Sequence, residues 1–111
     1  MSNDGVATLS ITMDTSDHQV VIAVKGEIDA ATADTLERAL TATRSITCRT
    51  VVVDLAEVSF IDSSGLHALL IGRRDLARDD VRLVICNPQP QAQRLFDIAL
   101  RGAQFHSLTS A

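Results

Sequence analysis

The chain contains no tryptophan and no tyrosine, and only three phenylalanines. Its net charge is −4 and its isoelectric point is near 5.1. Proteins that bind nucleic acid neutralise phosphates with a positive stripe and often stack bases on aromatic rings. This chain offers neither, so direct nucleic-acid binding is not expected. Cysteine is scarce too. Cys48 and Cys86 lie far apart, with no C-x-x-C and no cysteine–histidine pairing. A structural zinc site needs more ligands at tighter spacing, so no metal and no cofactor are expected. Both cysteines sit in or beside apolar, strand-like segments and read as buried free thiols of a reducing compartment. Residues Met1 to Ala7 show neither a basic stretch nor an apolar one, which excludes a secretory signal from the reading. No apolar run approaches the roughly 20 residues that cross a bilayer as a helix. The expected location is the cytoplasm, away from membranes.

What is present fits one globular domain. At 111 residues, with 46% apolar and 22% charged residues, the chain can bury a core without disulfides or metal. Gly and Pro total only seven residues, five and two, and no repeat, linker or low-complexity stretch stands out. Residues 1–6 and 109–111 read as flexible tails around a domain spanning 7–108.

Hydrophobic periodicity supplies the element order. Ala7, Leu9, Ile11 and Met13 alternate with polar residues, as in a strand with one buried face. Thr15 to His18 is turn-like, and Val20 to Val24 is an apolar, β-branched run, so the two strands are expected to form a hairpin. Gly26-Glu27-Ile28-Asp29 ends the second strand. The period then changes: Ala33, Leu36 and Leu40 share one face of a helix predicted from about Ala31 to Thr43, with Asp29 or Thr32 capping it. Val51 to Leu55 reads as a central strand covered by helices on both faces. Ser59-Phe60-Ile61 is a separate short apolar piece. A helix from near Ser64 to Arg78 follows, with Leu66, Leu69, Leu70 and Ala77 as its buried stripe. Val81 to Cys86 is a strand. Pro90 suits the first turn of a last helix, with Ala92, Leu95, Phe96 and Ala99 inward and Gly102 as its stop. Phe105 to Leu108 is a weak final strand. The order β-β-α-β-α-β-α-β predicts an α/β domain: a mixed sheet of four or five strands with helices packed on it.

The informative stretch is DLAEVSFIDSSGL, Asp54 to Leu66. It places two serines at the start of a helix. The first N–H groups of a helix lack partners, and a serine hydroxyl is a favoured acceptor for them, so either Ser63 or Ser64 can serve simply as an N-cap. The same place suits a phosphate, which helix N–H groups and the helix dipole tolerate. Phosphorylation would add about −1.5 to −2 charges beside Asp62, and a surface that fits a partner when neutral could then reject it.

These residues also carry a resemblance. DLAEVSFIDSSGL resembles the signature of bacterial anti-sigma factor antagonists of the STAS family. Val24 to Asp29, an apolar strand ending in Gly-Glu-Ile-Asp, resembles the family's approach to its first helix. Val51 to Leu55 is similar to its central strand, and Arg94 to Ile98 to its last helix. The resemblance runs from about Ala7 to Leu108 and implies a STAS-like fold. It implies a function as well. The unmodified protein binds an anti-sigma factor that is also a serine kinase, and the sigma factor is freed. The kinase then phosphorylates the serine that follows the motif's Asp, here Ser63, and the complex parts. A serine phosphatase restores the protein. Apart from the resemblance, a monomer is the expected state. Carried over in this way, Asp29, Asp62, Ser63, Ser64 and Gly65 lie at the partner surface. Asp29 caps a helix or touches the partner; Asp62 supports the turn or positions the serine. Gly65 lets a partner backbone approach or permits a tight turn, and Ser64 reads as a cap. His67 stands where members of the family often carry a small residue. It lies near the partner face, one turn beyond Ser63, as a surface residue or a pH sensor.

Two other classes are weighed against this. A serine hydrolase needs G-x-S-x-G with an ordered histidine and acid; no glycine precedes Ser63 or Ser64, and no P-loop motif is present. The chain is therefore read as the substrate of an enzyme, not an enzyme. An accessory or scaffold STAS module, in a signalling or transport assembly without sigma-factor control, is the alternative. An intact Asp62-Ser63-Ser64-Gly65 favours the switch, since a scaffold needs no modifiable hydroxyl there.

Overall fold

The computed structural model describes residues 9–100. Strand β1 (Leu9–Ser16) and β2 (Gln19–Ile28) form a hairpin. Helix α1 (Ala33–Ala42) runs into a short 3-10 turn, Thr43–Ser45. Then come β3 (Thr50–Ile61), α2 (Ser63–Ala77), β4 (Arg82–Cys86) and α3 (Pro90–Leu100). The sheet order is β1-β2-β3-β4, with β1 antiparallel to β2 and the other two pairings parallel. This is the mixed α/β domain that the element order predicts. The last predicted strand, Phe105 to Leu108, the stop at Gly102, and the domain limits at 7 and 108 fall outside the described residues.

The hairpin turn is tighter than expected. Strand pairing continues to Ser16 opposite Gln19, leaving only Asp17 and His18 in the loop. Both have positive φ, 37° and 67°, which the twist of a two-residue hairpin demands.

Strand β3 corrects the sequence reading most. It is one strand of 12 residues rather than two pieces. Its register against β2 slips twice: Ala23 faces Asp54 but Lys25 faces Glu57, and Gly26 faces Val58 but Glu27 faces Phe60. Each slip inserts one extra β3 residue, a β-bulge. The bulges turn the period of two into a spacing of three, so Leu55, Val58 and Ile61 are all buried. That spacing hides the strand's continuity. Opposite the bulges, Gly26 has φ 123°, a region that side chains avoid.

The core lies on one side of the sheet. Val20, Ile22 and Val24 of β2, Val51, Val53 and Leu55 of β3, and Leu83 and Ile85 of β4 share one face by register. They join the buried residues of all three helices in one cluster. The opposite face holds Val21, Ala23, Val52, Asp54 and Cys86, half-buried, and Val84, which is buried but stands outside that cluster. The central strand is thus not covered equally on both faces. Helix α1 buries Ala33, Leu36 and Leu40 as expected. In α2 the buried set is Gly65, Leu66, Ala68, Leu69, Gly72 and Leu76; Leu70 is half-buried and Ala77 is exposed. In α3, Ala92, Phe96 and Leu100 are buried, while Ala99 is exposed. Both cysteines are half-buried rather than enclosed. Burial, and then the Asp54 charge, pushes the Cys86 thiol above its usual value, which keeps it protonated and a poor nucleophile at neutral pH.

Gly65 shows how closely α2 rests on the sheet. A Cβ there would stand 2.6 Å from Ile28 Cγ2 and 2.6 Å from Ile61 Cγ1. Both contact atoms are bonded directly to Cβ of stiff, fully buried isoleucines, so the helix must lift instead. Gly65→Ala is expected to destabilise the domain by about 1–3 kcal/mol, read as a lower urea midpoint at constant m. An unchanged midpoint would show that the isoleucines yield.

Candidate functional site

The site forms where β2 and β3 end side by side. Ile28 pairs with Ile61, and the Asp62 N–H donates to the Ile28 carbonyl at 3.1 Å. The two loops that begin at Asp29 and Asp62 are therefore neighbours, at the carboxyl ends of parallel strands. Open α/β sheets place their functional residues there.

Each loop closes around an aspartate. Asp29 Oδ1 accepts the N–H of Ala31 at 2.9 Å and of Thr32 at 3.2 Å. Thr32 is the N-cap residue by position, but its side chain gives no capping bond. Its hydroxyl instead turns back, donating to the Glu27 carbonyl at 2.7 Å and accepting the Asp29 N–H at 2.9 Å. Asp29 thus serves the turn before α1 rather than the cap itself.

In the second loop the cap is Asp62, and neither serine takes that role. Asp62 has an extended backbone, φ −110° and ψ −170°. Its Oδ1 accepts the N–H of Ser64 at 2.8 Å and of Gly65 at 3.2 Å. The physical reason for this correction is twofold. The extended backbone of β3 continues into Asp62, as an N-cap requires, and a carboxylate suits the positive end of a helix. Ser63 becomes the first helical residue. It is exposed, and its hydroxyl bonds to nothing among the described residues. Ser64 is half-buried and gives only its N–H to the cap.

The structure brings Asp29, Asp62, Ser63, Ser64 and Gly65 together, with His67 exposed one helical turn beyond. Gly65 is buried, and its lack of a side chain serves the contact with Ile28 and Ile61. Among the described residues, no group of three or more metal-ligating side chains converges, and no helix is long and apolar enough to cross a membrane.

Two residues here, Phe60 and Gln91, escape the sequence reading, and a third, Thr32, takes a role other than the one expected. Phe60, opposite Glu27 in register, is 40% exposed three residues before Ser63; its hydrophobicity alone would place it in the core. Thr32, expected only as a possible cap of α1, instead closes the Asp29 turn through its hydroxyl. Gln91, on α3, bonds the Ile61 backbone, a tertiary contact with no local signal.

Residues 10–104 match the STAS domain family. The chain belongs to this family. An anti-sigma-B factor antagonist of Staphylococcus aureus is 34% identical over 90 residues, 81% of this STAS chain and 83% of its own. The crystal structure of an anti-sigma factor antagonist from Mycobacterium paratuberculosis superposes with TM-score 0.71 at 28% identity, covering 82% of this chain and 77% of that one. The antagonist SpoIIAA matches in its unphosphorylated form with TM-score 0.69 at 24% identity, covering 86% and 84% of the two chains. The last likeness speaks to the fold alone; the relatives named are regulatory binding proteins.

If Asp62 carries the cap of this STAS domain, Asp62→Ala should cost about 1 kcal/mol, within the 0.5–2 range for lost caps. Ser63→Ala should stay within about 0.5 kcal/mol of the parent. Thermal denaturation of the two variants decides it; a Ser63→Ala loss as large as that of Asp62→Ala would return the capping role to the serine.

Proposed function

We propose that this STAS domain is an anti-sigma factor antagonist switched by phosphorylation of Ser63. Unphosphorylated, it binds an anti-sigma factor serine kinase and frees the sigma factor. The kinase moves the γ-phosphoryl of ATP to Ser63 Oγ. The hydroxyl proton passes to a base of the kinase and ADP leaves. A serine phosphatase returns the hydroxyl by hydrolysis, with water supplying the new oxygen of the released phosphate. The chain acts as a monomeric cytoplasmic protein and as a substrate, not an enzyme.

The observation that carries this reading is the division of labour between Asp62 and Ser63. The fold uses the aspartate and leaves the serine hydroxyl exposed and, among the described residues, unbonded. A kinase can therefore modify it without dismantling the helix start. The same division gives the charge its effect. The N–H groups of Ser64 and Gly65, which could otherwise receive a phosphate, are already taken by the Asp62 carboxylate. A phosphate on Ser63 adds its charge beside that carboxylate with little local compensation. Asp29, Asp62, Ser64 and His67 surround Ser63 on the proposed partner face. Phe60 adds an exposed ring, the kind of side chain that anchors interfaces.

The test uses Ser63→Ala and Ser63→Asp proteins as paired baits in lysate of the source organism, read by mass spectrometry. A small ATP-binding kinase is expected on the Ala bait and depleted on the Asp bait. Equal recovery on both, or capture of membrane or scaffold components alone, would assign the chain to an accessory STAS module. With the kinase in hand, Ser63→Ala should bind it and take up no phosphate; wild-type phosphate on that variant would move the site to Ser64. Phe60→Ala should weaken kinase binding about tenfold or more with little change in melting temperature. Undiminished affinity would place Phe60 outside the interface.

A further inference from the structure

Strand β4 accompanies β3 only from Thr50 to Asp54. Beyond that, among the described residues, no strand pairs with the outer edge of β3, and unpaired backbone groups there need other partners. Two glutamines meet that edge. Gln89 Nε2 donates to the Ala56 carbonyl at 2.8 Å. Gln91 does more: its Oε1 accepts the Ile61 N–H at 2.9 Å while its Nε2 donates to the Ile61 carbonyl at 2.7 Å. A primary amide presents an acceptor and a donor side by side, as a peptide group of a neighbouring strand does. Gln91 thus pairs with Ile61 as a residue of a neighbouring strand would.

Its place gives this clamp a consequence. Ile61 is held on its other side by β2, through its pairing with Ile28 and the Asp62 N–H to the Ile28 carbonyl. Asp62 follows directly, with its carboxylate on Ser64 and Gly65. We propose that Gln91 is a positioning residue for the switch. By gripping both polar groups of Ile61, it fixes the peptide from which the Asp62 cap and the Ser63 hydroxyl are aimed, and so sets how well Ser63 is presented for phosphoryl transfer. This rests on the reading of Ser63 as the phosphate acceptor. Small displacements of a reacting group weaken transfer steeply, whereas binding spreads over a wider face.

Gln91→Met keeps the bulk and removes both hydrogen bonds, and Gln91→Ala provides a second variant. Gln89→Ala is the control, losing a similar bond on the same edge but at Ala56. In full-length protein, amide exchange followed by NMR should quicken about tenfold at Ile61, Ser64 and Gly65 in both Gln91 variants, the scale of losing one or two hydrogen bonds, and stay unchanged in β4. The Gln89 control should leave those three amides as they are. With the kinase recovered on the unphosphorylated bait, kcat for Ser63 should fall about tenfold in the Gln91 variants while KM stays within about twofold. Wild-type kcat in both Gln91 variants, or an equal fall in the Gln89 control, overturns the proposal. If no kinase phosphorylates wild-type Ser63, the switch reading fails and the exchange rates alone decide the clamp: quickened exchange at Ser64 and Gly65 sustains it, and unchanged exchange there overturns it.

Discussion

The carboxylate of Asp62, held against the first free amides of α2, is the contact on which the rest of the site depends. It ends β3, starts α2 and does both within one residue. Its backbone N–H belongs to the sheet, through Ile28, and its side chain belongs to the helix, through Ser64 and Gly65. A capping bond contributes only about 1 kcal/mol. Its larger effect is positional, because it removes the need for a serine cap and leaves Ser63 to face solvent.

That arrangement relies on β3 arriving at the right place. Two bulges lengthen β3 relative to β2, yet the two strands end together at Ile28 and Ile61. Without the extra residues, the Asp62 loop would not lie beside the Asp29 loop. Gly65 then lets α2 settle directly over those two isoleucines. Two loops built around aspartates, one closed by the backbone of Thr32 and the other by that of Ser64, form a single surface. The packing of the sheet and the shape of the candidate partner face therefore have one cause.

Much of this is legible in the sequence. Alternation in Leu9 to Met13, the helical spacing of Ala33, Leu36 and Leu40, and the apolar run from Val51 yield the element order, because each is a local pattern tied to a local geometry. The motif around Ser63 points to the candidate site for the same reason: an aspartate, two serines and a glycine before an apolar helix. What escapes is non-local. The continuity of β3 is hidden because bulges break period two, and a bulge is decided by the partner strand. Local sequence points to a serine cap because Ser and Asp are both good caps; only the extended backbone carried over from β3 chooses between them. Helical spacing puts Ala77 and Ala99 inward, but small residues at a helix end sit equally well outside. Gln91 has no local signature at all, since its partner lies 30 residues away.

The geometry also bears on what kind of switch a phosphate on Ser63 would make. A modification that captured free helix amides would tighten the start of α2 and could reshape the loop. Here the amides of Ser64 and Gly65 are already occupied, and Ile61 is held on both sides by β2 and Gln91. The backbone around Ser63 is therefore braced before modification. A phosphate added to an exposed hydroxyl on such a frame changes charge and bulk at the surface far more readily than it changes the fold. The energy that separates the two states then lies in the interface, where a partner gains or loses contact with one residue. A rigid presenter suits such a switch, because it spends nothing on rearranging itself and leaves the whole effect of the modification to the encounter with the partner.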